Sequence, residues 1–161
     1  VKKAFVTGIF ILVALVVLRV AIGLSSHPSD QQQIQTALDD SIQASREGRP
    51  GGVLDLLSKN LTFNGEDASG YQGQVAQFIK KQRPDVTVVQ PNPIVTGDEA
   101  QIVSPVNITV SLLGQTKTFN LKDVILTFHR EQTMKFLIFP TTRWELTEVR
   151  AQTPPALDIS Q

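Results

Sequence analysis

"AQIVSPVNITVSLLGQTKTFNLKDVILTF", Ala100 to Phe128, carries two apolar alternations back to back around a glycine. In the first, Ile102, Val106, Ile108, Val110 and Leu112 fall on even numbers, the period of two that puts side chains on one face of a strand. Gly114 and Gln115 turn the chain, and a second long strand follows. Its apolar residues start on odd numbers, Phe119 and Leu121, and continue on even ones, Val124, Leu126 and Phe128. A strand changes face in this way only if one residue is inserted, so a β-bulge is expected at Lys122 or Asp123, together with a bend in the sheet.

Downstream, "RWELTEVR", Arg143 to Arg150, supplies a last strand through Trp144 and Leu146, and "TPPALDISQ", 153–161, reads as a flexible tail whose two prolines suit no packed element. Upstream, "DVTVVQ", Asp85 to Gln90, and the "TGDE" turn at Thr96 to Glu99 belong to the same sheet. Before Arg83 the period lengthens to about 3.6. Ser29 and Gln32 form a capping box that opens a helix with the stripe Ile34, Leu38 and Ile42, stopped at "REGRPGG", Arg46 to Gly52. Val53, Leu54, Leu56 and Leu57 fit a short second helix before Asn60, and Leu61 to Phe63 a short strand. A second capping box, Ser69 with Gln72, opens a third helix whose apolar face is Tyr71, Val75, Phe78 and Ile79 and which ends near Gln82.

"AFVTGIFILVALVVLRVAIGL", Ala4 to Leu24, has Arg19 as its sole charge and no polar face, and is long enough to cross a hydrocarbon layer of ~30 Å. It is expected to be a transmembrane signal anchor over 1–24, joined by a linker, 25–29, to a domain over 30–152. Lys2 and Lys3 precede the span without a comparable basic cluster after it, which places the N-terminal side in the cytoplasm and the domain outside it. Arg19 lies near the outer end, where its stem lets the charge reach the interface. The alternative is a secreted form cleaved near Gly23, to which the small residues Ala21 and Gly23 are suited.

Fifteen basic and fifteen acidic residues cancel, and no Lys/Arg stripe could match a row of phosphates, so nucleic acid is not an expected partner. The chain has no cysteine, which removes disulfides, thiolate metal sites and a cysteine nucleophile. His27 and His129 stand at no metal-ligand spacing, and no phosphate loop or nucleophile elbow is present, so neither a metal nor a cofactor is expected. Asp39 and Asp40 are adjacent on a helix and diverge, as solvated carboxylates do, and His129 alternates with Phe128, which puts it on the face opposite the apolar set.

The order of elements, with "SREGRPGGVLDLLSKNLTF" leading to "GYQGQVAQFIKK" and ending on "RWELTEV", resembles the nuclear transport factor 2-like superfamily, also described as a cystatin-like cone. The resemblance covers Ser29 to about Gln152. It implies an α+β domain of three helices packed on a strongly bent antiparallel sheet, with a hollow that holds a small molecule, an enzyme site, a partner or nothing. In the isomerase and hydratase members a carboxylate base follows the strand after the second helix. Asn64 stands at the matching position here, and an amide cannot accept a proton near neutral pH. Asn64 with Gly65 also favours a turn with positive φ.

The candidate pocket residues are Asn64, Glu66, Asp67 and Tyr71. Glu66 and Asp67 are near enough to replace a missing base, or equally suit the entrance of a helix, and Tyr71 offers a hydroxyl on a ring expected in the core. A candidate interface is the unbroken apolar run Phe136, Leu137, Ile138 and Phe139 followed by Pro140, which calls for cover on both faces, whether from the protein's own elements or from a partner. Together these readings describe a membrane-anchored extracytoplasmic binding or assembly module without catalytic activity. A small apolar ligand, a second copy or a membrane-complex subunit is the expected partner. The alternative is an isomerase or hydratase of the ketosteroid-isomerase-like type that uses Glu66 or Asp67 with Tyr71.

Overall fold

The computed structural model describes residues 28–112, 114–135 and 139–152. Ala4 to Leu24, the run Phe136 to Ile138 and the segment 153–161 lie outside the described residues, and with them the expected span and tail. Among the described residues no helix is long and apolar enough to cross a membrane.

Helix α1, Asp30–Glu47, begins where its capping box predicts: Gln32 N donates to Ser29 Oγ at 3.2 Å, and Ser29 N donates to Gln32 Oε1 at 3.1 Å. It ends at Gly48, whose φ of 71° takes the left-handed turn that lets Gly48 N and Arg49 N close on the last carbonyls. Ile34 and Leu38 are buried as expected. Beyond them the buried stripe passes to Ser41, Ala44 and Ser45, while Ile42 is only partly covered.

Helix α2, Pro50–Leu54, is shorter than the apolar pattern implies. Leu56 and Leu57 leave it, and strand β1 runs Leu57–Phe63, four residues earlier than expected. Strand pairing outcompetes the helical pattern here: Leu146 N donates to Leu56 O at 2.8 Å, and Leu57 pairs with Leu146. A two-residue strand β2, Glu66–Asp67, folds back on β1 through Asn64 and Gly65, both at positive φ as the turn chemistry requires. The second expected capping box is not formed. Asp67 Oδ1 instead accepts from Ser69 N at 2.8 Å, a 3-10 turn covers Ser69–Tyr71, and helix α3 runs Gln72–Gln82. Because Tyr71 lies in that turn, it is out of phase with the α-helical stripe, and its ring is 57% exposed rather than in the core. Ile79 is the buried residue of the set.

The rest is sheet: β3 Asp85–Val88, β4 Ile94–Thr96, β5 Glu99–Leu112, β6 Gln115–Lys135 and β7 Phe139–Arg150. The strand order is β2-β1-β7-β6-β5-β3, with β4 also on β5. The expectation of a purely antiparallel sheet is corrected. β1 runs parallel to β7, which the long intervening path through α3 and the other strands allows, so the sheet is mixed. It curves without closing. The expected bulge is present: Ser104 pairs with Val124 and Val106 with Leu121, so Pro105 alone faces both Lys122 and Asp123, and Asp123 has a φ of 53°. Pro105 has no N–H to lose at that break.

α1 lies in the concave face against Ala100, Ile102, Phe128, Trp144 and Leu146, which form the core with Ile34, Leu38 and Leu56. Phe128 is fully buried, which contributes about 1.5–3 kcal/mol. At one end of α1 the Arg130 guanidinium lies 4.9 Å from the Trp144 ring centroid and donates to Asp30 Oδ2 at 2.5 Å, while Trp144 Nε1 donates to Asp30 Oδ1 at 3.4 Å. This cluster fixes the start of α1 to β6 and β7.

Candidate functional site

Towards the other end of α1 an apolar cavity of about 350 Å³ opens between α1, α3 and the strands. Leu38, Ile42, Leu56 and Ile79 form its helical side, and Val106, Val124, Leu126 and Leu146 its floor. Phe63 and Phe78, 48% and 45% exposed, stand at its rim with Val75, Val149 and Ala151. None of the residues that line it is ionisable. Ser41 and Ser45 are its polar side chains, and the Ser45 hydroxyl is engaged, donating to Pro84 O at 2.8 Å. Such walls offer shape and apolar surface rather than acid-base chemistry.

The four candidate pocket residues stand outside these walls. Asn64 is exposed in the β1–β2 turn and clasps the end of β7: Asn64 Nδ2 donates to Ala151 O at 3.1 Å, Ala151 N donates to Asn64 Oδ1 at 2.9 Å, and Asn64 N donates to Val149 O at 2.9 Å. Glu66 and Asp67 are exposed on β2. The Asp67 carboxyl is held below its usual range, first by the backbone N–H of Ser69, as suits a carboxylate that caps a turn. Tyr71 is exposed on the 3-10 turn. Of the candidate interface, Phe136, Leu137 and Ile138 lie outside the described residues, and Phe139 opens β7 opposite Lys135. His129, Asp39 and Asp40 are exposed as expected. Among the described residues no group of His, Asp and Glu is placed to hold a metal ion.

Cavity walls that no apolar pattern of the sequence marks include Ser41, Ser45 and Pro84. The signal for the two serines was present, since 34, 38, 41 and 45 share one helical face, but serine is not an apolar marker. A second, wider groove of about 890 Å³ runs outside α1 between Gln33, Asp40, Arg49 and Trp144. Its arginines are paired within the protein, Arg49 with Glu47 and Arg143 with Glu145.

No protein-family model and no curated protein sequence matches the chain. Solved structures do. A conserved protein from Planctomyces limnophilus superposes with a TM-score of 0.58 at 14% identity, over 76% of this chain and 94% of that one. A nuclear transport factor 2-like superfamily protein from Salmonella enterica gives 0.58 at 14%, over 81% and 95%. The chain has a nuclear transport factor 2-like fold. A CaMKII hub from S. rosetta shares that fold, with a TM-score of 0.56 at 12% identity over 79% of this chain and 98% of the hub. In this nuclear transport factor 2-like fold the sheet, α1 and α3 wall the apolar cavity, and the Asn64 clasp borders its rim.

Proposed function

We propose that this chain is a non-catalytic binding or assembly module, held at the outer side of the cytoplasmic membrane by Ala4 to Leu24, whose domain takes a small apolar ligand into the cavity between α1, α3 and the sheet. The observation that carries the reading is the cavity itself: about 350 Å³, walled by Leu, Ile, Val and Phe and free of ionisable side chains. At roughly 30 Å³ per water-sized group, it takes about a dozen non-hydrogen atoms, near the lower end of ligand pockets. The anchor rests on the apolar run Ala4 to Leu24, whose sole charge is Arg19, and on the lysines before it. The run Phe136 to Phe139 is the proposed docking surface for a second copy or a membrane-complex subunit, in keeping with its length without a polar residue.

The test is extraction of the full chain from membranes in a mild detergent, native mass spectrometry and identification of whatever co-purifies. The reading expects an apolar small-molecule adduct that is lost in the cavity-filling variant Ser41→Leu, and a protein partner or dimer weakened by Leu137→Asp. A lone, ligand-free monomer would refute both parts. Full release of the protein by alkaline washing would refute the anchor.

A further inference from the structure

We propose that the free edge of β7 at Thr142 and Trp144 is a docking site for an extended, basic segment of a partner protein, which adds to the sheet as a short strand in the groove outside α1. Strand β1 pairs with β7 only as far back as Leu146, where Leu146 N donates to Leu56 O at 2.8 Å. Before that point β7 has β6 on one side and, among the described residues, no strand on the other. Backbone groups alternate sides along a strand, and no bulge interrupts the β6–β7 ladder between Thr142 and Leu146. The N–H and C=O of Thr142 and Trp144 therefore point as those of Leu146 do, away from β6. The opposite strand agrees: Arg130, which pairs with Trp144, sends its own N–H the other way, to Asp98 O at 2.9 Å. Two N–H groups and two carbonyls thus face the groove with no strand to pair with among the described residues, an edge that another chain can extend.

The groove has the size and charge for such an occupant. It measures about 890 Å³, and Gln33, Ala37 and Asp40, on one face of α1, wall it together with Asp55, Leu56 and the β7 edge. At roughly 30 Å³ per water-sized group it takes about thirty non-hydrogen atoms, as many as a short extended peptide offers. Arg49 and Arg143 are neutralised by Glu47 and Glu145, whereas Asp40 and Asp55 form no ion pair among the described residues, so the groove is left acidic. An extended segment sends alternate side chains to opposite sides, so basic residues that alternate with apolar ones meet the two aspartates on one side and Ala37 and Leu56 on the other. Pro140, next along the same side of β7, has no N–H, so the donors end at Thr142 and the added strand is short.

The test is calorimetric titration of the full chain, in a mild non-ionic detergent, with the peptide acetyl-Lys-Val-Lys-Val-Lys-amide. It is expected to bind at least tenfold more tightly than acetyl-Glu-Val-Glu-Val-Glu-amide, and to lose that advantage in Asp40→Lys with Asp55→Lys. The chain has no net charge, so the difference reads the groove rather than the whole molecule. Thr142→Pro removes one donor from the edge and leaves the bonds to β6 in place, and is expected to weaken the lysine peptide about tenfold.

Two modified peptides test the backbone on the unaltered protein. One is methylated on the backbone nitrogens of its valines, the other on those of its lysines. Only one of these two sets of N–H groups faces β7, so one peptide is expected to bind about tenfold more weakly than the other. Equal affinity of the two methylated peptides overturns strand addition. Equal affinity of the lysine and glutamate peptides, or no binding of the lysine peptide, overturns the site. Each of these results leaves the apolar cavity and its ligand untouched.

Discussion

Replacement of Asn64 separates a structural clasp from a site residue. The side chain makes two hydrogen bonds to Ala151, at 3.1 and 2.9 Å, and the residue holds a φ of 51°. Net contributions of ~0.5–1.5 kcal/mol per bond, reduced by exposure, make the pair worth about 1–2 kcal/mol. Alanine in the left-handed region adds a further ~1 kcal/mol, since asparagine visits it far more readily. Asn64→Ala is therefore expected to destabilise by about 2–3 kcal/mol. Asn64→Gly loses the same bonds without the steric strain but with a more flexible unfolded chain, and is expected to be milder by about 0.5–1 kcal/mol.

Asn64→Asp distinguishes the two amide roles. The carboxylate still accepts from Ala151 N, but it sets a second oxygen against the Ala151 carbonyl, which costs about 1 kcal/mol at neutral pH. Urea denaturation in mild detergent, followed by the fluorescence of the single tryptophan, Trp144, reads all three variants. An alanine variant within ~0.5 kcal/mol of the parent, or one no worse than the glycine variant, would show that the clasp and the strained backbone do not contribute as argued.

Phe128→Ala removes a fully buried ring and should cost about 3–5 kcal/mol by the same denaturation assay. Asp30→Ala takes the acceptor from Arg130 and Trp144 and a negative charge from the first turn of α1, for about 1–2 kcal/mol after allowance for solvent screening, with a red shift of Trp144 emission. The folded Asp67 carboxyl lies below its unfolded value of ~3.9, so its contribution is present above that pH and is lost as pH falls through the lower folded value; acid titration of Asp67→Asn should show a shallower stability loss below about pH 4. Deleting Lys122 removes the bulge residue and turns Val124, Leu126 and Phe128 towards solvent or shifts the β5–β6 ladder, so the deletion should abolish the cooperative transition in circular dichroism.

What the sequence disclosed and what it hid follow from how local each signal is. The bulge was legible because a period of two fixes the face of every side chain, and Phe119 and Leu121 disagree in parity with Val124, Leu126 and Phe128. The start of α1 was legible because Ser29 and Gln32 satisfy each other across three residues. Leu56 and Leu57 misled because their partner, Leu146, is some ninety residues away, and no local pattern announces a parallel pairing. Tyr71 misled because one 3-10 turn breaks the helical phase. The cavity was not legible: it is a volume left between α1, α3 and a bent sheet, and Ser41 and Ser45, which help to leave it open, carry no apolar signal.

That volume is itself an argument. At ~24 cal/mol per Å³, an enclosed, empty void of the same size would cost about 8 kcal/mol, as much as the whole stability of an ordinary domain. Water is a poor tenant, because a molecule there would find walls of Leu, Ile, Val and Phe and few groups to bond to. Leucine at Ser41 would fill part of the space, yet both Ser41 and Ser45 are small residues on the helix face that looks into it. Because the cavity opens to solvent between Phe63 and Phe78, it carries only part of that cost, and an apolar ligand seated in it would remove apolar wall and rim surface from water.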